Sequence, residues 1–242
     1  MRTALALCLA LATPAAAQQD MTDAEREDFR AEVRAYLLDN PEVIMEAVGV
    51  LEQREQSAQA EADIAMAQEN AELLYNDPTS WVGGNPEGDI TIVEFLDYRC
   101  GYCKQAHPEV TQLIESDGNI RYIVKEFPIL GDQSVLASRF AVAVKMEAGD
   151  DAYETVNDAL MTMRTDVTPE ALLRLANTLG LDSDAILAQM DSDDVTDVIA
   201  RNRALGQQLD ITGTPTFVVE DQMLRGYVPG AQMAEIVSQI RG

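Results

Sequence analysis

Cys100-Gly101-Tyr102-Cys103 closes an apolar run, Ile90-Thr91-Ile92-Val93-Glu94-Phe95-Leu96, and opens a stretch of helical composition. This junction constrains the chain more than any other feature. It asks for a strand feeding into a helix, with both sulfurs at the first helical turn. A helix N-terminus presents unpaired N–H groups and a partial positive charge. Both favour a thiolate, which is the nucleophilic form of cysteine. The spacing lets the second sulfur reach the first and close a small disulfide ring.

The amino terminus reads as a secretory signal over residues 1–17. Arg2 is its charged end, Ala4 to Ala12 its apolar stretch, and Ala15-Ala16-Ala17 an A-x-A cleavage site before Gln18. The stretch is too short to span a membrane, and no later segment approaches the roughly 18 apolar residues a span needs. Cys8 follows a bulky Leu7, which argues against a lipid anchor. Cleavage after Ala17 removes Cys8 and leaves Cys100 and Cys103 alone. An exported chain with one close pair is not stapled by disulfides, so the pair is catalytic or metal-binding. The expected compartment is the periplasm. Net charge is −25, and loss of Arg2 makes it −26. Nucleic acid is thereby excluded as a partner, since phosphate binding needs a basic footprint.

Residues 18–75 differ in character from the rest of the chain. Thr22-Asp23-Ala24-Glu25 is a capping box, leading a helix with Phe29, Val33, Tyr36 and Leu37 on one face. Asn40-Pro41 stops it and starts another, striped by Val43, Ile44, Ala47, Val48 and Leu51. Glu52 to Asn70 is rich in Glu, Gln and Ala and reads as a solvated helix or stiff linker with little to bury. The stripe needs a partner, and a stiff polar spacer favours self-association over docking. The sequence thus predicts a helical oligomerisation arm; a homo-oligomer, dimer or trimer, is expected, with its number not set by any motif.

The main domain is expected over residues 76–242. Gly83-Gly84-Asn85-Pro86 reads as a turn cluster, Asp89 to Leu96 and Asn119 to Phe127 as strands. Helices are expected over Ser134–Ala148, Tyr153–Met163, Pro169–Leu179, Ala185–Met190 and Val195–Leu209, an insertion at about 132–209. Phe217–Val219 is a third strand, Gln222–Arg225 a hairpin partner and Ala231–Ile240 a final helix. The pattern is a small α/β sheet interrupted by helices.

Zinc within one chain is improbable, because a structural site takes four ligands and the mature chain offers two cysteines and one histidine. Cuprous ion is an alternative occupant, since two soft thiolates can hold it. A downstream signal favours redox chemistry. Gly213-Thr214-Pro215-Thr216-Phe217 places proline before a strand, a position suited to a special turn and a cis bond.

Three segments resemble the DsbA-type thioredoxin-fold family. They are Gly84-Asn85-Pro86, the run from Val93 through Cys100-Gly101-Tyr102-Cys103 to Lys104, and Thr214-Pro215-Thr216-Phe217. The resemblance spans Trp81 to the carboxyl terminus. Tyr36-Leu37-Leu38-Asp39-Asn40-Pro41-Glu42-Val43-Ile44 resembles the N-terminal segment of ScsC-like proteins (suppressor of copper sensitivity protein C), which are periplasmic disulfide isomerases or oxidases. The Gly-Tyr dipeptide also resembles that subgroup. The resemblance implies a thioredoxin fold with an α-helical insertion behind an N-terminal helical arm. It implies Cys100 as the exposed attacking thiolate, Cys103 as the buried resolving thiol, and Gly101 and Tyr102 as residues tuning the potential. Pro215 would be a cis-proline facing the pair, with Thr214 binding substrate backbone. Glu94, six before Cys100, stands where the family often has a buried acid; pairing with Lys125 is the alternative. The clients implied are unfolded or misoxidised exported proteins, with a membrane thiol–disulfide redox partner and no cofactor. A copper(I)-binding chaperone using the same thiolates is the alternative function.

Other chemical residues read as structural. His107, four after Cys103, is expected on polar helix surface, with Pro108 kinking the chain and Lys104 pointing to solvent. Met161, Met163, Met190, Met223 and Met233 are expected to fill gaps in the core.

Overall fold

The computed structural model describes residues 21–242, so the segment read as a signal peptide, with Cys8, lies outside the described residues. The chain divides into two compact units, one through Glu55 and one from Gln56 to Gly242. Among the described residues no helix is long and apolar enough to cross a membrane.

The first unit holds α1 (Asp23–Asp39) and the start of α2 (Glu42–Glu69). Thr22 and Glu25 form the capping box reciprocally: Glu25 N–H donates to Thr22 Oγ1 at 3.3 Å and Thr22 N–H to Glu25 Oε2 at 2.8 Å. Asn40 ends α1, donating through its backbone and its side chain to the Tyr36 carbonyl. The apolar stripe is present but uncovered: Phe29, Tyr36, Ile44 and Leu51 each expose more than half their surface.

The second unit is a five-stranded mixed sheet in the order β1-β3-β2-β4-β5. The strands are β1 (Trp81–Gly84), β2 (Ile90–Leu96), β3 (Ile120–Glu126), β4 (Thr216–Val219) and β5 (Gln222–Arg225). β2 and β3 run parallel, from Ile90 opposite Ile120 to Leu96 opposite Glu126. A parallel pair requires a crossover, which α4 (Gly101–Asp117) supplies. Between β3 and β4 come α5 (Asp132–Ala148), α6 (Asp150–Thr162), α7 (Pro169–Thr178), α8 (Ser183–Met190) and α9 (Asp193–Gln208); α10 (Gly230–Arg241) ends the chain.

Strand alternation divides the core in two. Ile92, Glu94, Leu96, Tyr122, Val124 and Glu126 face α4 and the helical insertion. Val93, Phe95, Ile123 and Phe127 face the other way, toward Ala67, Leu74, Leu205 and Leu209. α9 crosses that second face closely: a Cβ on Gly206 would lie 2.4 Å from the Phe127 ring. Glycine is therefore the residue that fits there.

Two features depart from the sequence reading. Residues 81–84 are a strand, antiparallel to β3 with Trp81 opposite Val124. Two glycines in four residues hide its alternation. Gly84 is needed because its φ is +65° and a Cβ would come 2.4 Å from the Ile120 carbonyl oxygen. Nor is α2 solvated to its end. Asp63 and Ala67 are buried, and Asp63 accepts from Gln59 at 2.8 Å and Arg225 at 2.6 Å. The short side chain of Ala67 allows α2 to lie close on the sheet, which a count of large apolar residues overlooks. α3 (Ala71–Tyr75) continues that cover with Leu74.

Candidate active site

Cys100 caps α4, with extended backbone (φ −73°, ψ 119°), and Gly101 starts the helix. Asp97 builds the turn that delivers it. Its Oδ1 accepts from Arg99 N–H at 2.7 Å, and its Oδ2 from Ile129 and Leu130 N–H at 2.8 and 3.0 Å. Three N–H groups are satisfied by one buried carboxylate, which locks the loop before α4 to the loop after β3.

Cys100 retains 7% of its surface and Cys103 none. Cys100 is thus less open than the expected exposed nucleophile, because Thr214 and Cys103 close over it while Tyr102, 63% exposed, stands outward. Both cysteines are free thiols. When protonated, Cys100 donates to the Thr214 carbonyl at 3.0 Å, a bond the thiolate gives up. Its pKa is pushed down from 9 to about 5, chiefly by the Cys103 thiol donating to it. Burial opposes this, and the Thr214 side chain and the Cys103 and Tyr102 N–H groups add to it. The Thr214 hydroxyl is buried without a completed hydrogen bond. The Cys103 thiol is held far above its ordinary value by donating to Cys100, by burial and by the Glu94 charge. One sulfur is kept an anion and its neighbour kept protonated.

The Thr214–Pro215 bond is cis, and Gly226 N–H donates to the Pro215 carbonyl at 2.9 Å. Thr214, Pro215, Cys100 and Cys103 are therefore brought together from the two ends of the sheet unit. Gly101 has nothing within 4 Å of where a Cβ would stand. Tyr102 stacks on Tyr227 with centroids 6.4 Å apart, and Tyr227 is fixed by donating to Glu109 at 2.7 Å.

Glu94 is 1% exposed and accepts from the Tyr122 hydroxyl. Burial pushes its carboxyl up to about 7, against the Tyr122 bond that lowers it, with the Cys100 charge adding to the rise. Lys125 is not its partner. Lys125 lies on the opposite face of β3, donating to Asp77 at 3.1 Å and to the Leu73 carbonyl at 2.7 Å. A second buried acid, Glu126, is absent from the sequence reading. It accepts from Tyr98 at 2.7 Å and Tyr153 at 2.6 Å, and burial lifts it also to about 7. The available signal was a charged pair, Lys125-Glu126, closing a strand whose preceding residues, Tyr122-Ile123-Val124, are apolar or aromatic.

His107 turns to Asp158, with Nε2 2.8 Å from Oδ1. Lys104 does not run to solvent: it donates to the Met163 carbonyl and is partly buried. Pro108 sits within α4, which continues to Asp117. Met161, Met190 and Met233 are core residues, with Met163 and Met223 packed at its edge. Among the described residues no group of three or more His, Cys, Asp or Glu is placed to hold a metal ion.

Residues 91–238 match the model of the DSBA-like thioredoxin domain. The chain belongs to the DsbA-like thioredoxin family. Residues 25–58 match the N-terminal domain of the copper resistance protein ScsC. A thioredoxin-like oxidoreductase from Silicibacter pomeroyi is 42% identical, covering 70% of this chain and 96% of its own, with a TM-score of 0.66. Proteus mirabilis ScsC in a compact conformation is 29% identical over 89% of this chain and 98% of its own, TM-score 0.65. The thiol–disulfide exchange protein α-DsbA2 from Wolbachia pipientis is 26% identical over 76% of this chain and 98% of its own, TM-score 0.70. Among curated relatives, a Salinispora tropica Na(+)/H(+) antiporter, NhaA 3, is 31% identical over 60% of this chain. The chain spans only 22% of that relative's length. The fold is that of the DsbA- and ScsC-like thiol–disulfide oxidoreductases.

Proposed function

We propose that this chain is a periplasmic protein disulfide isomerase or oxidase acting on exported proteins through Cys100 and Cys103. The observation that carries the reading is the placement of the two sulfurs: Cys100 caps α4 against the Thr214 carbonyl of the cis turn, with Cys103 fully buried behind it, an arrangement that pushes the Cys100 pKa down and that of Cys103 up. The Cys100 thiolate attacks a client disulfide, forming a mixed disulfide and releasing one client thiolate. Cys103 then loses its proton and attacks Cys100. The Cys100–Cys103 bond forms, and the client's second sulfur leaves with the electron pair. A low thiol pKa makes Cys100 a good leaving group and its disulfide more oxidising, so the reverse direction, oxidation of a client dithiol, is served as well. Thr214, on the cis bond beside Cys100, is positioned to bind an extended client backbone. A membrane thiol–disulfide partner would return the pair to its working state.

The exposed stripe of the first unit supports self-association through the arm. Its unburied Phe29, Tyr36, Ile44 and Leu51 are the kind of surface an oligomer covers, and ScsC N-terminal resemblance covers the same residues. Several sites around one client favour isomerisation.

The test is recovery of activity from scrambled ribonuclease. The expected result is catalysis by the full chain and none above background for Cys100→Ala. Equal yields from the two proteins would overturn the reading. The redox state of the pair in intact cells separates the two directions: mostly oxidised marks an oxidase, mostly reduced an isomerase. Sedimentation that shows only monomer well above micromolar concentration would remove the arm's role.

A further inference from the structure

Cys103 has no exposed surface, yet the resolving step requires its thiol to lose a proton. The proton therefore passes first to a protein group. Glu94 lies on the face of β2 that packs against α4, in the core that buries Cys103, and its charge disfavours a Cys103 thiolate. Glu94 Oε1 is buried without a partner, and Oε2 accepts from the Tyr122 hydroxyl. Tyr122 is 8% exposed and lines, with Trp81, His107, Asn157 and Asp158, a cavity of about 550 Å³.

We propose that Tyr122 is the positioning residue for proton transfer at this site: its hydroxyl holds one carboxyl oxygen of Glu94, leaves the other free for the Cys103 proton, and ties Glu94 to the cavity beyond. The inference rests on the thiol–disulfide reading. In the resolving step the Cys103 S–H bond breaks and its proton goes to Glu94 Oε1. The resulting thiolate forms the bond to Cys100 as the Cys100–client bond breaks, and the leaving client thiolate takes its proton from water.

The titratable groups around Glu94 are few. Cys100 and Cys103 face it from α4 and Tyr122 from β3. Tyr153 of α6 stands behind Tyr122, and Glu126 lies two residues beyond Val124, the β3 residue opposite Glu94. Of the neighbours, Tyr122 favours the charged carboxylate and Cys100 disfavours it. Removing the Tyr122 hydroxyl therefore makes Glu94 hold its proton to higher pH, and an acid already protonated cannot accept another.

The reduced full chain is mixed with glutathione disulfide, quenched in acid at intervals, and weighed. Mass separates the Cys100–glutathione mixed disulfide from the closed Cys100–Cys103 form. In the parent protein the closure rate should rise with pH through a midpoint somewhat below 7, because the mixed disulfide lacks the Cys100 charge that adds to the rise. In Tyr122→Phe the midpoint should rise by about one pH unit, slowing closure at pH 6 about tenfold, with the high-pH plateau kept. Site-specific replacement of Tyr122 by 3-fluorotyrosine, a stronger donor of the same shape, should lower the midpoint. It carries the test if the Phe variant does not fold. A merely structural role predicts no such opposite shifts. In a Glu94→Gln background the Phe substitution should move nothing further. Unmoved midpoints, shifts in one direction for both replacements, or the same Phe effect without the Glu94 carboxyl would overturn the inference. A parent protein that never closes the disulfide would instead sink the functional reading beneath it.

Discussion

Glu94 and Glu126 lie on one face of the sheet, on neighbouring strands, and burial lifts both to about 7. Their company differs. Glu94 has one donor, Tyr122, and an oxygen left open near sulfur. Glu126 has Tyr98 and Tyr153 on one oxygen, with Asn157 donating to Tyr98 at 3.1 Å; Ser138 stands close by without completing a hydrogen bond. Tyr98 precedes Cys100 by two residues, while Tyr153 and Asn157 belong to α6. Glu126 therefore binds the helical insertion to the turn that carries the cysteines. Burial sets where a carboxyl titrates, and its partners set what it is used for.

That contrast can be broken most forcefully at Glu126. Glu126→Ala leaves two buried tyrosine hydroxyls without their acceptor, and should cost about 3–5 kcal/mol in urea unfolding. The closure rate of the folded fraction should be little changed. A stable variant with slow closure would reverse the roles assigned to the two acids.

The pH dependence of stability sharpens the comparison next. Both carboxyls have folded pKa values raised from 4.5 to about 7, so the folded state binds more protons. Their contribution is complete below about 4.5 and is lost as pH rises through 7, on the order of 3 kcal/mol each at most. Cys100 acts in the opposite sense, because its pKa falls from 9 to about 5 on folding. Its contribution is present above 9 and lost as pH falls toward 5, in the dithiol form only. Urea midpoints of the two redox forms should show the oxidised protein weakening from pH 5 to 7.5. The dithiol form should gain on it steadily as pH rises from 5 to 9. Parallel curves would refute the thiolate.

Glu94→Gln should leave unfolding within about 1 kcal/mol of the parent, since the amide can still accept from Tyr122. At pH 7 it should slow disulfide closure about a hundredfold, the lower end of the usual range for loss of a general base. The smallest effect is expected at His107→Ala. Its partner Asp158 is 60% exposed and the pair takes no part in the sulfur chemistry, so stability should change by about 1 kcal/mol or less and closure by less than about twofold.

Much of this was readable in the chain because it depends on local chemistry. The β2-to-α4 junction, the capping box at Thr22, the five insertion helices and the Thr-Pro turn each announce themselves over a few residues. What was hidden depends on register. Tyr122 and Glu94 are 28 residues apart, and nothing in either neighbourhood reveals that parallel pairing sets them on one face. The same pairing sends Lys125 away from Glu94 and to Asp77. β1 escaped because two of its four residues are glycine and β3 defines it. Lys104 was assigned to water because a lone lysine near a helix start usually goes there; the Met163 carbonyl that takes it comes from the far end of α6.

Trp81 gives the two acids a shared witness. It is the sole tryptophan of the sequence, and its ring meets Tyr122 edge-on at 6.0 Å and stacks on Tyr153 at 5.5 Å. One phenol belongs to Glu94 and the other to Glu126. The tryptophan fluorescence of this protein, excited apart from its tyrosines, therefore originates between the phenols of both buried carboxyls, which makes it a label-free place to look for their ionisation.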